Sequence, residues 1–460
     1  MGIATINPFT NTTIKSFEPD SPAKVESAIA AAHARFAQWR HTNFNQRADL
    51  LKAVARRLRE KKDELSKLIT TEMGKLIAES VGEIELSADI FDYYAENGER
   101  FLTDTVIEVD RGEAIIRRRP IGVLLGIEPW NFPFYQVARF AAPNVMIGNV
   151  ILVKHASNVP QCALAIEQIF KDAGAPVGLY TSLLLPGSRI EALLADDRIR
   201  GASLTGGEEA GASLAAAAGK NLKKSVLELG GSDAFIVLED ANIEMAVHWA
   251  VIGRMNNTGQ SCIASKRFIV LDAVAEEFTE KLVAAMTDLK PGDPMEPGTH
   301  LGPLSSEDAA VHLADQVSRA VKAGAKVLLG GKRIDRPGAF MQATVLTQIE
   351  PGSPISYEEM FGPVAVIYTV KNEQAAVALA NDSPFGLGGS VFTADIERGK
   401  SIADQIDTGM VFINHPTWTA PNLPFGGVKR SGYGRELSRL GIEEFINCKL
   451  IRVSGLNDPF

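Results

Sequence analysis

The sequence contains few of the residues that mark secreted, metal-binding and membrane proteins. It has only three cysteines, Cys162, Cys262 and Cys448, in 460 residues, which is too few for a disulfide framework and fits a reducing compartment. The seven histidines show no ligand spacing, so we expect no metal site. No apolar run reaches 18 residues, and the N-terminus lacks a basic and apolar leader. We therefore expect no membrane span and no secretory signal, and the absences together predict a cytoplasmic protein.

An excess of basic residues is also absent. The chain carries 47 Lys and Arg against 56 Asp and Glu, and this net charge of −9 is spread along the sequence. Because binding to a phosphate backbone needs a basic face, we expect no nucleic-acid partner. The hydrophobic content of 45% is ordinary for a globular protein, and the length predicts two or three domains.

The apolar pattern predicts helices first and then an alternation of strands and helices. A helix starts at Asp20-Ser21-Pro22, a second covers Leu51 to Leu68, and a third covers about 77–94. From Pro120 onward short apolar runs alternate with helical stretches, and the alternation restarts after Gly231. Such runs predict buried parallel strands, so the expected fold class is α/β with two doubly wound domains.

A hairpin and a late strand are predicted outside these two domains. Residues 105–109 and 114–119 have the pattern of a hairpin, and 445–453 that of a strand with a distant partner. We therefore predict a first domain, a second domain and a small β arm. Their ranges are 1–101 with 121–227 for the first domain, 228–430 for the second, and 102–120 with 440–460 for the arm.

Cys262 is the candidate nucleophile. It follows a predicted helix, in the polar turn Asn257-Thr258-Gly259-Gln260-Ser261-Cys262, where small neighbours would leave a thiol accessible to a substrate. A thiol attacks only as the thiolate, so its surroundings must favour ionisation. The alternative is an inert buried cysteine, which is how we interpret Cys162 and Cys448, since both lie on apolar patterns.

Glu228 is the candidate base. It ends the apolar run Ser225-Val226-Leu227 and precedes Gly230-Gly231, so its carboxyl would lie on a tight turn. Desolvation there would raise its pKa into the range that suits a general base. The alternative is a glutamate that caps a helix or forms a salt bridge.

Three loops that follow predicted strands could contact a ligand. In Glu128-Pro129-Trp130-Asn131-Phe132-Pro133 two prolines fix the backbone, and the Asn131 amide could donate to an oxyanion, although such a loop is more often a rigid turn. Lys154-His155-Ala156-Ser157 and Leu204-Thr205-Gly206-Gly207-Glu208-Glu209 could meet ribose and phosphate groups. Neither contains G-x-G-x-x-G, so these loops alone give no dinucleotide fingerprint.

Together these residues resemble the aldehyde dehydrogenase superfamily, from about Asn7 to the C-terminus. The resemblance implies a Rossmann-like NAD(P)-binding domain, a catalytic domain, and an oligomerisation arm that pairs subunits into homodimers or homotetramers. Five specific blocks occur in the family's order: Pro129-Trp130-Asn131-Phe132-Pro133, Leu227-Glu228-Leu229-Gly230-Gly231, Gly259-Gln260-Ser261-Cys262, Glu358-Glu359-Met360-Phe361-Gly362-Pro363 and Pro424-Phe425-Gly426-Gly427.

The resemblance also implies the reaction and the residues that perform it. Cys262 would attack an aldehyde to give a thiohemiacetal, whose oxyanion is held by the Asn131 side chain and the Cys262 backbone N–H. Hydride would pass to the nicotinamide and leave a thioester, and Glu228 would activate the water that releases the acid. The implied contacts of the cofactor, NAD or NADP, are Trp130, Asn131, Lys154, Ser157, Gly207, Glu208, Leu229, Glu359 and Phe361.

Three positions depart from the family's common pattern. Ser157 stands where many NAD-preferring members have glutamate, so nothing repels a 2′-phosphate and NADP should be tolerated. Gly207 stands where serine is frequent, which leaves only backbone contacts to phosphate. Phe140 replaces a frequent lysine, which removes one means of activating the thiol.

Arg139 bears on the choice of substrate. It occupies the position at which succinate-semialdehyde dehydrogenases carry an arginine for the substrate carboxylate, and a guanidinium fork suits that group. Their second arginine corresponds here to Asn256, and a serine near their C-terminus corresponds roughly to Ala420. Succinate semialdehyde is therefore the expected substrate, with a surface or interface salt bridge as the other interpretation of Arg139.

Other functions stay open at this point. The substrate could be another small aliphatic aldehyde, and CoA could take the acyl group, although the CoA-acylating branch typically lacks the glutamate seen here as Glu228. A non-catalytic protein could keep the fold. A thiol hydrolase is also conceivable, but no histidine partner for Cys262 is evident.

Overall fold

Fourteen α-helices and five β-sheets organise residues 2–456, the part of the chain that this computed structural model describes. The strands are β1 Ile3–Asn7, β2 Thr12–Phe17, β3 Thr105–Ile107, β4 Glu113–Pro120, β5 Val123–Glu128, β6 Val150–His155, β7 Tyr180–Ser182, β8 Ile199–Thr205, β9 Lys224–Glu228, β10 Asp233–Val237, β11 Ser265–Leu271, β12 Lys326–Leu329, β13 Thr344–Thr347, β14 Val364–Val370, β15 Phe385–Gly386, β16 Gly389–Phe392, β17 Phe412–Ile413, β18 Val428–Lys429, β19 Gly432–Tyr433 and β20 Ile446–Val453. The helices are α1 Pro22–Trp39, α2 Phe44–Glu60, α3 Lys62–Met73, α4 Ile77–Leu102, α5 Tyr135–Ile147, α6 Pro160–Asp172, α7 Ile190–Leu194, α8 Glu208–Lys220, α9 Ile243–Met255, α10 Asp272–Thr287, α11 Glu307–Lys322, α12 Glu373–Asn381, α13 Ile396–Ala403 and α14 Ser438–Ile442.

A six-stranded sheet carries the first group of predicted site residues. Its order is β19-β9-β8-β5-β6-β7, and all neighbours are parallel except the short β19. The apolar runs of β5, β6 and β8 are buried on both faces, as expected for parallel strands under helices. Glu128, Thr205 and Glu228 end the adjacent strands β5, β8 and β9, so three polar side chains meet at the carboxyl edge, where such sheets bind ligands.

A seven-stranded sheet forms the second layer, in the order β12-β13-β14-β11-β10-β16-β17. Its central strands β10, β11 and β14 are parallel and buried, while the edge strand β12 runs antiparallel. The predicted class, two parallel sheets with helical connections, is confirmed.

The predicted arm is a three-stranded antiparallel sheet in the order β20-β4-β3. β20 pairs with β4 along its whole length, from Ile446 opposite Pro120 to Val453 opposite Glu113. Val106 and Leu450 expose apolar side chains on this sheet. Cys448 is also exposed here, so interpreting it as a buried structural cysteine was wrong, because the other face of β20 has nothing packed over it. Cys162 is buried, as predicted.

Two predicted elements have different boundaries in the structure. The helix expected over Leu51 to Leu68 is two helices, because Lys61 leaves the helical conformation (φ −103°, ψ 13°) and its ammonium group binds Asp172 at 2.7 Å. No glycine or proline marks this break in the sequence. The helix expected over 77–94 extends to Leu102, and its long buried face packs on α2 and α5. None of the helices between residues 2 and 456 is long and apolar enough to cross a membrane.

A buried ion pair fixes the start of α5, which carries Arg139. Lys75 and Glu83 are in contact and almost fully buried, and the Lys75 ammonium lies 3.6 Å from the centre of the Phe132 ring. Glu83 also accepts hydrogen bonds from the backbone N–H groups of Phe134 (2.8 Å) and Tyr135 (3.2 Å). The carboxylate therefore satisfies two donors at the first turn of the helix and one buried cation at the same time.

Removing only the cation of this pair should destabilise the protein strongly. In Lys75→Met the Glu83 carboxylate stays buried without its counter-charge, so we expect a loss of about 3–5 kcal/mol in the free energy of unfolding. Lys75→Met combined with Glu83→Gln should recover part of that loss, because glutamine still accepts from Phe134 and Tyr135 but carries no charge. Chemical denaturation measures both. An equal loss in the single and double variants would contradict the role given to the charge.

Candidate active site

The turn before Cys262 has an unusual backbone. After α9 ends, Asn257, Thr258 and Gly259 all have positive φ, at 54°, 56° and 74°. Only glycine adopts this left-handed region without cost, so two consecutive non-glycine residues there store strain. The polar turn could be predicted from the sequence, whereas this backbone conformation could not.

Side-chain hydrogen bonds hold the strained turn in place. The backbone N–H of Asn257 donates to Glu79 Oε1 (2.9 Å), and its Nδ2 donates to the carbonyl oxygen of Asn131 (2.9 Å). The Gln260 side chain accepts from the backbone N–H of Ser305 (2.8 Å). The turn is thus joined to α4, to the loop after β5 and to the segment before α11.

Cys262 opens onto a cavity of about 300 Å³. Other lining residues include Tyr135, Gln136 and Arg139 on α5 and Phe425 in the later part of the chain. The thiol is only partly covered, so the expectation that it is presented to a small molecule fits its position. A cavity of this size suits a short aliphatic substrate.

The Asn131 amide lies beside the Cys262 turn in a fixed orientation. Its Oδ1 accepts from Gln136 Nε2 (3.1 Å), and its Nδ2 donates to the carbonyl oxygen of Gln260 (3.1 Å). Nδ2 carries two hydrogens, so one of them is available beyond the bond to Gln260. An amide fixed in this way can donate to a developing oxyanion without reorganisation.

Glu228 is buried at the end of β9, with only 2% of its surface exposed. Within residues 2–456 neither carboxyl oxygen has a hydrogen-bond partner. Burial raises its pKa well above the usual range, and the nearby Glu436 raises it further, while Arg139 opposes the shift. The direction of this shift is the one expected from the sequence for a desolvated carboxyl. Gly426 leaves it room, because a Cβ there would lie 2.7 Å from Glu228 Oε1.

Arg139 is fully buried and ion-paired, so the surface alternative for this residue was wrong. Its Nε lies 2.7 Å from Glu436 Oε2, and its other nitrogens donate longer bonds to Tyr135 Oη (3.3 Å) and Thr205 Oγ1 (3.4 Å). It also lies over the ring of Phe425, 4.4 Å from the centroid. Because these two bonds are long, the two terminal nitrogens of the guanidinium are held only weakly by their protein partners.

The thiol of Cys262 is protonated in the ligand-free site. Burial raises its pKa to about 12, while the cations Arg139 and Lys266 act in the opposite direction. Lys266 reaches this position because its ammonium binds the carbonyl oxygens of Ser261 (2.8 Å) and Cys262 (2.9 Å). At position 140, Phe140 carries no charge and packs its ring against Gly126.

Several of the predicted cofactor residues form a second cluster behind the cysteine turn. The rings of Trp130 and Phe361 meet edge to face at 5.8 Å. Glu359 Oε1 lies 3.1 Å from the Lys266 ammonium and accepts from the backbone N–H of Gly231 at 3.1 Å. The loop after β5, the glycines after Glu228 and the segment before β14 therefore converge on one place.

A separate groove of about 690 Å³ runs over the carboxyl edge of the six-stranded sheet. Lys154 lines it, together with residues of α7 and α8. Gly207 is the N-cap of α8 and makes no side-chain cap bond, so backbone N–H groups at that helix start can meet phosphate oxygens. Leu229 packs on Gly211 of the same helix. A groove with a lysine and a free helix start fits a dinucleotide.

Of the nine predicted cofactor residues Lys154 lines the groove, whereas Ser157 and Glu208 belong neither to its lining nor to the cluster around Phe361. Ser157 is partly buried, and its backbone carbonyl accepts from the Ala4 N–H at 3.0 Å. Glu208 begins α8 and pairs with the largely exposed Arg430 at 3.2 Å. Both lie at the ends of elements that border the groove, and their roles toward a cofactor stay predictions.

Three ionisable residues of the site were not predicted from the sequence. Glu436 pairs with Arg139, Lys266 binds the Cys262 turn, and Glu128 is buried at the end of β5 with a pKa raised well above the usual range by burial and by Glu436. The position of Glu128 at a strand end was a usable signal. Glu436 gave none, because the fold alone brings it to Arg139.

The raised pKa of Cys262 predicts how fast the thiol reacts with iodoacetamide. Because only the thiolate reacts, the ligand-free protein should be alkylated at Cys262 slowly at pH 7, with a rate that rises about tenfold per pH unit toward pH 10. A Cys448→Ser background removes the exposed cysteine, and mass spectrometry identifies the labelled residue. A rate that levels off below about pH 9 would contradict the predicted protonation state.

Comparison with known proteins identifies the family of the chain. The aldehyde dehydrogenase family model matches residues 1–451. The chain is 51% identical to the succinate-semialdehyde dehydrogenase (NADP(+)) of Deinococcus radiodurans, over 98% of this chain and 94% of that protein. It is 48% identical to succinate-semialdehyde dehydrogenase (NADP(+)) 1 of Mycobacterium tuberculosis, over 99% and 100%.

Solved structures of similar proteins share the fold over nearly their whole length. The crystal structure of succinic semialdehyde dehydrogenase from Streptococcus pyogenes, in complex with NADP+ as the cofactor, superposes with a TM-score of 0.97 at 43% identity, over 98% of this chain and 100% of that one. The match covers both parallel sheets, the arm and the cysteine turn. This protein therefore belongs to the aldehyde dehydrogenase family.

Proposed function

We propose that the protein oxidises succinate semialdehyde to succinate with NADP+ as the electron acceptor, through a thioester on Cys262. The observation that carries the proposal is the cavity lined by the Cys262 thiol and the Arg139 guanidinium, with the buried Glu228 carboxyl close enough to act on the pKa of the thiol. The named relatives support the choice of aldehyde and cofactor. NAD+ is the second candidate acceptor.

Attack on the aldehyde depends on Cys262 and the groups around it. The thiol proton passes to solvent, the thiolate sulfur forms a bond to the carbonyl carbon, and the π electrons of the C=O bond move onto the oxygen, where negative charge develops. Arg139 and Lys266 favour the thiolate. The free N–H of the Asn131 amide and the backbone N–H of Cys262 stabilise the oxyanion, and loss of one such donor costs roughly 3–4 kcal/mol in other enzymes.

The dinucleotide is held by the groove and by the cluster behind the cysteine turn. A bound nicotinamide supplies the acceptor for the hydride that leaves the substrate carbon. Lys154 and the start of α8 at Gly207 provide charge and backbone N–H groups for the adenosine and pyrophosphate ends. Glu359 and Phe361 border the opposite end, next to Lys266.

Release of the acid depends on Glu228. Once ionised, its carboxylate takes a proton from water while the water oxygen bonds to the thioester carbon. The C–S bond then breaks, and the sulfur leaves as a thiolate that Arg139 and Lys266 stabilise. A carboxyl whose pKa is raised by burial is a stronger base at neutral pH than an ordinary glutamate.

The preference for an anionic aldehyde rests on Arg139. Its Nε is engaged by Glu436, but its two outer nitrogens make bonds of 3.3 and 3.4 Å, which a substrate carboxylate can replace with shorter, charge-assisted ones. The cavity lining also includes the uncharged Asn256 and Thr419 and the carboxyl groups of Glu79 and Glu83, and Glu83 is paired with Lys75.

The remaining assignments concern the whole molecule. We propose that residues 1–101 and 121–227 form the NAD(P)-binding domain and 228–430 the catalytic domain, which follows the division between the two sheets. The arm of 102–120 and 440–460 would pair subunits into a homodimer or homotetramer, since Val106 and Leu450 expose apolar surface on it. A cytoplasmic enzyme without nucleic-acid or membrane partners is in keeping with the composition.

The proposed covalent mechanism predicts that substitutions at Cys262 and at Glu228 impair different steps of the reaction. Cys262→Ser should lose turnover, whereas Cys448→Ser should match the wild type, because its sulfur lies far out on the arm. Glu228→Gln should release about one equivalent of reduced cofactor per site and then stall, with steady turnover reduced about 10²–10⁴-fold. Stopped-flow absorbance at 340 nm and intact-mass detection of the acyl adduct measure this. Restoration of the Glu228→Gln rate by CoA would indicate acyl transfer instead of hydrolysis.

The substrate assignment predicts a clear order among aldehydes. Succinate semialdehyde should exceed butyraldehyde and betaine aldehyde in kcat/KM, with either cofactor. Arg139→Lys keeps a charge beside Glu436 but loses the planar fork, so it should cost succinate semialdehyde about tenfold more in kcat/KM than butyraldehyde. An equal loss for both aldehydes would mean that Arg139 serves only the ion pair.

The cofactor assignment can be tested at Ser157. Ser157→Glu introduces a carboxylate that would repel the 2′-phosphate, so kcat/KM with NADP+ should fall at least about tenfold relative to NAD+. Ser157→Gln fills the same volume without charge and should change the ratio little. A similar change in both variants would show that volume, not charge, decides the preference.

A further inference from the structure

Arg254 joins two loops of the site without touching the cavity. It lies in the last turn of α9 and has no exposed surface. One terminal nitrogen donates to the carbonyl oxygens of Gly259 (2.7 Å) and Gly362 (2.5 Å), and the other reaches that of Ser265 (3.4 Å). All three acceptors are backbone atoms close to predicted site residues.

Each of these carbonyls belongs to a different part of the site's framework. Gly259 is the third left-handed residue of the strained turn before Cys262. Gly362 follows Phe361, in the segment that presents Glu359 to Lys266. The packing is close on both sides, since a Cβ on Gly259 would lie 2.4 Å from the Gly362 oxygen and 2.5 Å from the Arg254 guanidinium.

Backbone carbonyl oxygens, and not a carboxylate, hold this buried cation. Within residues 2–456 no carboxylate lies within ion-pair distance of Arg254, although buried arginines are usually paired. Burial lowers its pKa to about 9, with Glu359 acting in the opposite direction. Burying a charge that is bonded only to carbonyl oxygens costs free energy. The same bonds hold two neighbouring loops at a fixed distance from each other.

We propose that Arg254 is a positioning residue that fixes the Cys262 turn and the Glu359–Phe361 segment relative to each other. Its role rests on the proposed function, because that segment is assigned to the nicotinamide ribose. The guanidinium holds the left-handed turn through Gly259 and the ribose segment through Gly362. Sulfur and cofactor are thereby kept at the separation that hydride transfer requires.

The test uses Arg254→Met and Arg254→Lys in the full chain, with Arg47→Met as a matched control. Arg47 is another buried arginine that donates to backbone carbonyls, among them Met146 and Ile147, but it contacts no site residue. Three quantities are measured: the iodoacetamide rate at Cys262, the calorimetric Kd for NADP+, and kcat. The first needs neither aldehyde nor cofactor, so it judges Arg254 even if the proposed reaction fails.

Arg254→Met should change the Cys262 alkylation rate and raise the Kd for NADP+, each about tenfold, and lower kcat about 10²-fold. Arg254→Lys should restore part of all three, since an ammonium group can still donate to one or two of the carbonyls. Arg47→Met should lower the thermal midpoint and leave alkylation and Kd per folded molecule unchanged. If Arg254→Met does not fold, the lysine variant alone decides.

Two results would overturn the proposal. In one, the folded fraction of the Arg254 variants has the alkylation rate and Kd of the wild type, so the residue serves stability alone. In the other, only one of the two quantities changes in Arg254→Met, so the guanidinium supports one loop and does not tie the two together.

Discussion

The positive charge of Arg139 is the constraint on which the rest of the site depends. Glu128, Glu228 and Glu436 are all buried near it, which a low-dielectric interior would not tolerate as three carboxylates. Glu436 makes the ion pair, and burial raises the pKa values of Glu128 and Glu228 well above the usual range while Arg139 opposes the rise. Among the groups that favour the Cys262 thiolate, the same guanidinium has the largest influence. Burial and one cation thus act in opposite directions on the pKa of the nucleophile and on that of the base.

A second constraint is conformational. The left-handed run from Asn257 to Gly259 stores strain that the turn alone could not retain. Bonds to Glu79, Asn131 and Arg254 come from three separate elements, and each satisfies a buried polar group that would otherwise be unpaired. The strain and the hydrogen bonds therefore require one another, and the cysteine is presented from a rigid turn.

The sequence indicated the parts of the site whose chemistry is local. Cys262 in its polar turn, Glu228 at a strand end and Asn131 between prolines could be picked out because neighbours in the chain define each motif. The partner of Arg139 could not, since Glu436 lies far along the chain and only folding joins them. The same holds for the fold: apolar runs predicted the parallel strands, whereas no glycine or proline marks the helix break at Lys61, where the side chain binds Asp172.

The pairing of β19 with β9 can form only late in synthesis, because β19 lies near the end of the chain. Glu436, Gly426 and β19 all close around Glu228, yet the ribosome makes them roughly two hundred residues after it. Until they emerge, Arg139 has no counter-ion and the edge of β9 is bare. A nascent chain can therefore fold much of both sheets before the surroundings of Glu228 are complete. A chain that stopped before this segment would lack these contacts, and we expect it to be inactive.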